Sequence, residues 1–412
     1  MMRGQAPSRR SGLEWAVRGG VALTFGVVGY FATTGTLAQV IRNVDIERAY
    51  RLAPYDARIR ASLAQRLLAD PQSSLADRRQ GEALARSALK ADPTAVAGVI
   101  ALGLASQERT DALSARKIFA YADTLSRREL ITQMWAIEDA VGRGDVDAVL
   151  RQYDIALRTS RASADLLFPI LARAITDPAI RRTLARTLAA KPAWSDNFID
   201  YVGTQGPDAI ATANLFSTLH RIGVPVSEAA QGALINALLQ KNEPDLAWQF
   251  FATMRPGEDR RRSRDPHFKA SWTAPTPLDW GVVDVEGGST SIQHTNGKSF
   301  FDFSLAASAG GALLQQVTLL PPGQYRLSGI SRGINQAKDA LPYWTMVCPG
   351  GREIGRVDLS NSSEASVAFS GIITVPEACS AQVLTLVARP SDAMSGVSGQ
   401  IESAELAPLK GL

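Results

Sequence analysis

The strongest constraint on this chain is an uncharged stretch near its N-terminus, from Gly19 to Ile41. As an α-helix it would be about 34 Å long, enough to cross a hydrocarbon core of about 30 Å. Trp15 stands where an interfacial aromatic side chain belongs, and four arginines precede the stretch: Arg3, Arg9, Arg10 and Arg18. Positive charge stays on the cytoplasmic side of membrane helices. We therefore predict a cytoplasmic tail over residues 1–18, a transmembrane anchor over residues 19–41, and export of the remainder.

A cleaved signal peptide is the alternative to an anchor, because Thr36-Leu37-Ala38 approximates the small residues before a cleavage site. The apolar region is already long for a signal peptide, which favours the uncleaved anchor. Both interpretations export the bulk of the chain. We therefore predict a single-pass protein of the bacterial inner membrane, with the bulk of the chain in the periplasm.

The two cysteines, Cys348 and Cys379, both fall in the last third of the chain. An oxidising compartment favours a disulfide between them. The bond would close a loop of about thirty residues and add roughly 3 kcal/mol by the chain-entropy model. Two buried free thiols are the alternative. We predict a disulfide with a structural role.

Length and charge limit the classes of function. At 412 residues the chain exceeds one ordinary domain of about 100 to 200 residues, so we expect two or three folded units. The net charge of +4 is dispersed over 44 basic and 40 acidic residues, which excludes an electrostatic footprint for nucleic acid. We interpret residues 256–266 as a solvated basic linker, with contact to anionic lipid or glycan as the alternative. Its basic cluster consists of Arg260, Arg261, Arg262 and Arg264.

Residues 43–255 are rich in Ala, Leu and Arg, with apolar residues at helical spacing. This pattern predicts an all-α region of amphipathic helices. Four segments align, and their leading alanines are 39, 34 and 34 residues apart: Ala49, Ala88, Ala122 and Ala156. A helical repeat of this kind needs a packing side chain three residues before each leading alanine. At those positions the chain has Ile46, Ala85, Phe119 and Tyr153.

This period and these positions resemble tetratricopeptide repeats over residues 43 to about 165, and helices up to residue 255 look like degenerate repeats. In such an array each helix pair buries its apolar face against its neighbours. The resemblance implies a curved concave surface that holds an envelope protein partner. A rigid spacer is the alternative.

From residue 267 to residue 412 the sequence changes to short runs bounded by turn residues, which predicts an all-β sandwich of about ten strands. The run Leu314–Gly329 resembles the strand, turn and strand of galactose-binding-like carbohydrate-binding modules, in which Gln-x-Val leads through Pro-Gly to Tyr-x-Leu. The run Gly399–Leu406 resembles their closing strand. The resemblance implies a jelly-roll fold with a glycan ligand, although related sandwiches also serve as structural appendages.

Sugar binding in such folds uses aromatic faces and a few polar side chains that read hydroxyl groups. We predict a glycan site formed by Trp344 with Arg332 and Asp302. Trp344 and Trp280 both lie within strand patterns, so burial in the core is the alternative for each.

Other chemistry has little support in the sequence. His220, His267 and His294 have no ligand spacing, so we predict no metal site. The Gly-x-Ser-x-Gly pattern at Gly329–Gly333 is followed by a polar loop, whereas a nucleophile elbow needs a helix. The sequence contains no phosphate-cradling loop and no dinucleotide fingerprint, so we predict no cofactor and no catalytic residue.

The sequence therefore predicts a multidomain α + β chain: a transmembrane helix, a tetratricopeptide-like solenoid and a jelly-roll sandwich. Its predicted function is that of a non-catalytic periplasmic adaptor that binds a protein and a glycan, in surface or exopolysaccharide assembly or export. A polysaccharide-modifying enzyme using Asp302, Glu353 or Asp358 is one alternative. A structural scaffold is another, and it predicts buried Trp280 and Trp344.

Overall fold

The computed structural model describes residues 12–160, 163–295 and 297–409. It divides the chain into two compact units, Met1–Ser163 and Ala164–Leu412. The first unit is helical, and the second combines helices with an antiparallel β-sandwich. The predicted multidomain α + β fold class is thereby confirmed.

Helix α1 extends from Gly12 to Ile41 and so begins before the predicted anchor. Among the described residues it is the one helix long and apolar enough to cross a membrane. Most of its side chains are exposed, whereas Ala38 near its end is buried. An exposed apolar helix near the N-terminus fits a membrane span, and a signal sequence has the same properties.

The end of α1 packs against α2 (Ile46–Leu52), and α2 packs in turn against α3 (Ala57–Ala69). The side-chain amide of Gln39 donates to Oδ2 of Asp56 at 2.8 Å. Ala38 is buried in a cluster with Ile46, Ala49, Ala53, Ile59 and Leu63. The last turns of α1 therefore belong to the core of the first unit.

The predicted repeat positions of the first unit are packing positions. Its further helices are α4 (Leu75–Ala91), α5 (Val96–Glu108), α6 (Ala112–Leu125), α7 (Leu130–Gly142) and α8 (Val146–Thr159). The four leading alanines are buried, and so are the residues three positions before them. Each alanine carbonyl accepts the backbone N–H four residues later at 2.8 to 3.1 Å. The helical array is confirmed, and its tetratricopeptide identity stays a prediction.

The helices of the second unit also pack through small residues. They are α9 (Ser163–Ala174), α10 (Pro178–Ala189), α11 (Ser195–Gln205), α12 (Ala209–Arg221), α13 (Glu228–Gln240) and α14 (Pro244–Met254). A Cβ added to Gly203 on α11 would lie 2.7 Å from the Cβ of Ala230 on α13. The absence of a side chain at Gly203 therefore permits the close approach of α11 and α13.

The β-region forms two antiparallel sheets of five strands each within the described residues. The first sheet has the order β1 (Gly281–Val282), β4 (Gly311–Thr318), β9 (Gln382–Ala388), β6 (Tyr343–Val347), β7 (Glu353–Asp358). The second has the order β2 (Gly288–Thr295), β3 (Lys298–Leu305), β10 (Val397–Pro408), β5 (Gly323–Arg332), β8 (Val367–Val375). The predicted all-β sandwich is confirmed.

Alternate residues of most strands point into one apolar core between the sheets. On β3, Phe301, Phe303 and Leu305 are buried, whereas Asp302 and Ser304 are not. A strand turns successive side chains to opposite faces. Asp302 therefore lies on the outer face of the second sheet.

The prediction of a solvated linker over residues 256–266 is wrong at Ser263 and Arg264, which are buried, whereas Arg261 and Arg262 are exposed as predicted. Arg264 is 2% exposed. Its backbone N–H and carbonyl bond the side-chain amide of Gln316 on β4, both at 3.1 Å. Ser263 exchanges two hydrogen bonds with the backbone of Leu406 on β10, at 2.9 and 2.8 Å. Ser263 and Arg264 are therefore part of the sandwich, because they pair with polar groups that are buried there.

Helices α13 and α14 contact the segment that leads into the sandwich. The carboxylate of Glu228 on α13 accepts the backbone N–H of Ala274 at 3.0 Å. After α14, the Arg255 guanidinium lies 3.7 Å from the ring centroid of Trp272 and forms an ion pair with Asp279. Charged and aromatic contacts thus connect the helices of the second unit to its sandwich.

Candidate functional site

Trp344 on β6 lies in the core of the sandwich. Its side chain is 0% exposed, and its ring centroid lies 5.7 Å from that of Trp280 and 6.4 Å from that of Phe369. A ring that stacks on a sugar must offer one face to solvent, and this ring offers none. The prediction that Trp344 is the aromatic platform is therefore wrong. The alternative, burial in the core, holds for both Trp280 and Trp344.

Asp302 and Arg332, by contrast, lie on the outer face of the second sheet, on either side of one residue of β10. Gln400 stands directly opposite Asp302 on β3 and directly opposite Arg332 on β5. Its Nε2 donates to Oδ1 of Asp302 at 2.9 Å. On β2, Ser291 stands opposite Asp302. These four residues form one line across four neighbouring strands, which we call the polar row.

The side chains of the polar row can form hydrogen bonds with the hydroxyl groups of a ligand. Neighbouring strands lie about 4.8 Å apart, so the backbones at Asp302 and Arg332 are about 10 Å apart. The carboxylate accepts hydrogen bonds, the guanidinium donates them, and the amide of Gln400 does both. Donors and acceptors at fixed intervals can therefore pair with several hydroxyl groups of one molecule.

A recess adjoins the polar row, two residues further along β3 and β10. Its cavity volume is about 310 Å³. Phe300 shares the outer face with Asp302, because the two are two residues apart on one strand. We call this cavity the basic recess, and its lining includes His267, Lys269, Lys298, Phe300 and Glu402. The recess combines two lysines, one carboxylate and a half-buried aromatic ring.

Glu402 lies at a β-bulge beside the basic recess. The register between β10 and β5 shifts between Ile401 and Ser403, which makes Glu402 the extra residue. Bulges bend a strand and redirect its side chains. The Glu402 carboxylate accepts the hydroxyl of Ser366, just before β8, at 3.0 Å. The Glu402 carboxylate therefore shares the lining of the recess with the two lysines.

Gln400 and Glu402 were not among the predicted site residues, although both stand in the run that resembles a closing strand. Strand alternation turns Gln400 outward once Ile401 is taken as core, so the pattern carries a signal for Gln400. The same alternation turns Glu402 outward, and the bulge interrupts it only between Glu402 and the buried Ala404. No feature of the run marks the bulge in advance.

Cys348 and Cys379 form the predicted disulfide, with their Cα atoms 5.6 Å apart. Cys348 follows β6, and Cys379 precedes β9. Because β6 and β9 are neighbours in the first sheet, the bond secures the loops at one end of that pair. Both residues are buried in the core cluster, as their predicted structural role requires.

The other candidate carboxylates lie on the outer face of the first sheet. Glu353 accepts from Arg356 at 2.8 Å, and this bond is the main cause that lowers the pKa of Glu353. Asp358 accepts from Arg389 at 3.0 Å. The outer faces of a sandwich point in opposite directions. Asp302 therefore cannot act on one substrate together with Glu353.

No protein-family model matches this chain, and no curated protein matches it. Similar solved structures include a family 4 carbohydrate-binding module, with a TM-score of 0.29 and 10% identity over 36% of this chain and 99% of that chain. A family 22 xylan-binding module from Paenibacillus barcinonensis gives a TM-score of 0.25 and 13% identity over 38% and 97%. A family 61 module in complex with β-1,4-galactotriose gives 0.26 and 17% over 35% and 97%. The sandwich resembles such modules, and its chemistry has to be judged from its own residues.

Proposed function

We propose that this chain is a non-catalytic adaptor anchored in the inner membrane of a bacterial-type envelope, with its bulk in the periplasm. In this proposal the outer face of the second sheet contacts a glycan, and the helical repeats hold an envelope protein. Such an adaptor suits the assembly or export of a surface polysaccharide or exopolysaccharide.

The alignment of the polar row beside the basic recess is the observation that carries the glycan contact. The row offers carboxylate, amide, guanidinium and hydroxyl groups to sugar hydroxyls. Phe300 offers an apolar surface to the C–H face of a sugar ring. Lys269 and Lys298 outnumber Glu402 in the recess, which favours an acidic glycan over a neutral one.

The packing at the end of α1 supports an uncleaved anchor. Cleavage after Ala38 would remove a side chain that is buried with Ile46. It would also remove the Phe31 carbonyl, which accepts the hydroxyl of Tyr55 at 3.3 Å. A fold that uses the end of an apolar helix as core favours retention of that helix. The arginines before the helix favour a cytoplasmic N-terminus, and the disulfide favours an oxidising compartment for the sandwich.

The test is binding of the full chain, in detergent micelles, to acidic and neutral polysaccharides from the envelope of the organism that carries it. Asp302→Ala and Arg332→Ala each remove one hydrogen-bonding group of the polar row. We expect saturable binding that each variant weakens about tenfold, as the loss of one such group implies. Thr374→Ala is the matched control, because Thr374 is exposed on the same sheet at the far end of β8. It should leave affinity unchanged.

Three results of this assay would contradict the proposal. No saturable binding of either polysaccharide class would exclude the glycan contact. Equal loss of affinity in Thr374→Ala would move the contact away from the polar row. Release of new reducing ends from the polysaccharide would indicate an enzyme instead of an adaptor.

A structural scaffold is the second candidate function, and the burial of Trp280 and Trp344 favours it. In a scaffold the sandwich binds no sugar, and its aromatic side chains serve only the core. The same assay separates the two candidates, because a scaffold gives no glycan binding even though its sandwich is folded.

A further inference from the structure

The first unit has a groove that the glycan proposal does not use. Residues of α6, α7 and α8 line it, and its cavity volume is about 260 Å³. Within it, the rings of Phe119 and Trp135 stack with their centroids 4.5 Å apart. Small side chains leave room beside the rings: Ala120, Ala136, Ala140 and Ala148. We call it the α7 groove.

Two polar atoms at the α7 groove are buried without a hydrogen-bond partner among the described residues. They are the hydroxyl oxygen of Thr132, whose side chain is 1% exposed, and Oε1 of Gln152. Both residues line the groove. Leaving a buried polar atom unpaired is costly, and folded proteins rarely do so twice in one place. A bound molecule removes that cost if each side chain rotates to turn its buried oxygen into the groove, where the molecule can pair with it.

The charged side chains of the groove balance one another. Arg116 donates to Asp139 at 2.6 Å, and Arg143 donates to the same carboxylate at 3.2 Å. Asp123, also in the lining, accepts from the side-chain amide of Gln133 at 2.8 Å. Two arginines and two aspartates therefore cancel in net charge. Charge complementarity then favours a neutral occupant.

We infer that the α7 groove binds a neutral peptide segment of the protein partner. A peptide group carries an N–H for Oε1 of Gln152, which can only accept, and a carbonyl for the hydroxyl of Thr132. Small apolar side chains of the peptide fit against Trp135. The volume is below the roughly 300 to 1,000 Å³ of sites for larger ligands, and it suits one or two residues. The inference rests on the proposed function, because it locates the partner that the helical repeats hold.

The test uses the full chain in detergent with three pools of capped hexapeptides, neutral, acidic and basic, as probes. Affinity is measured by fluorescence anisotropy, and the site is located by hydrogen-exchange protection. Thr132→Val replaces the unpaired hydroxyl with a methyl group of the same shape. We expect neutral peptides to protect α6, α7 and α8, and this variant to bind them at least about fivefold more weakly with unchanged or higher thermal stability.

Thr212→Val is the matched control for a buried threonine. Thr212 is also 1% exposed, but its hydroxyl donates to the carbonyl of Asp208 at 2.8 Å. This variant should lower the thermal midpoint and leave peptide affinity unchanged. The opposite responses of the two variants separate a binding hydroxyl from a structural one.

The inference is overturned if no neutral peptide binds at millimolar concentration, or if acidic and basic peptides bind equally well. It is also overturned if Thr132→Val loses stability but retains affinity, or if peptides protect other helices of the array. In that last case the repeats hold a partner elsewhere, and the adaptor proposal survives. Glycan binding, measured on the same preparations, should not change in Thr132→Val. If no glycan binds at all, the proposed function of the sandwich is contradicted, and the inference about the α7 groove is unaffected.

Discussion

Arg264 and Gln316 are joined by two reciprocal hydrogen bonds. The backbone N–H of Arg264 donates to Oε1 of Gln316, and Nε2 of Gln316 donates to the carbonyl of Arg264, both at 3.1 Å. The guanidinium donates to the carbonyls of Leu278 and Val317. Burial lowers the pKa of Arg264 to about 10, so the side chain is still charged at neutral pH. Arg264 is therefore a buried cation whose hydrogen bonds hold residues 263–264 against the first sheet.

Arg264→Ala should lower the free energy of unfolding by about 3 kcal/mol or more, because it leaves buried carbonyl groups without a donor. Arg261→Ala is the matched control from the same basic cluster, since Arg261 is exposed and bonded to Asp259. It should change the stability by less than about 0.5 kcal/mol. Urea denaturation of the full chain measures both, and equal small effects would restore the interpretation of a solvated linker.

Replacing Trp344 should affect stability and spare glycan affinity. Trp344→Ala should cost about 3 to 5 kcal/mol, because it leaves a large cavity between the sheets. Trp344→Phe should cost less, since the indole Nε1 has no partner among the described residues. Glycan affinity is measured on Trp344→Phe, which retains the core. If Trp344→Phe lost glycan affinity without losing stability, Trp344 would have to be part of the glycan site.

Removal of the disulfide should destabilise the sandwich. The two cysteines are 31 residues apart in sequence, and the chain-entropy model gives roughly 3 to 4 kcal/mol for such a loop. The double variant Cys348→Ala/Cys379→Ala should unfold at a lower denaturant concentration than the wild type. Wild-type protein under a reductant should shift toward the same midpoint, whereas the double variant should not respond. An unchanged midpoint in the double variant would argue against a structural role.

Asp139 should make the stability of the first unit depend on pH. The hydrogen bond from Arg116 holds the pKa of Asp139 below its ordinary value of 3.8. A carboxyl with a lowered folded-state pKa contributes stability above its ordinary pKa, and this contribution is lost as the pH falls through the lowered value. Asp139→Asn should therefore be less stable than the wild type by about 1 to 2 kcal/mol at neutral pH. The difference in stability between Asp139→Asn and the wild type should disappear as the pH falls below 3.8.

Thermal unfolding over a pH series measures this dependence. Glu138→Gln is the control on the same helix, because Glu138 is exposed. It should differ from the wild type by less than about 0.5 kcal/mol at every pH. A deficit of Asp139→Asn that persists at strongly acidic pH would show that packing, not charge, causes it.

The sequence by itself determined the elements whose signals are local. The uncharged stretch marks α1, the spaced alanines mark buried helix ends, and strand alternation marks the β-region. The cysteine pair marks the disulfide. The helical and strand signals depend on the period with which each element turns its side chains, and the anchor signal depends on one continuous stretch, so neighbouring residues are enough to reveal them. The cysteine signal depends on there being only one possible pair.

The tertiary structure decided which side chains meet and which are buried. Alternation assigns Trp344 to a strand, but pairing with a second sheet decides that its face is the inner one. Arg264 looks solvated in its polar surroundings until Gln316 on a distant strand bonds it. Asp302 and Arg332 share a site only because Gln400 stands between them. These outcomes depend on contacts between residues far apart in the chain, and a local pattern carries no record of such contacts.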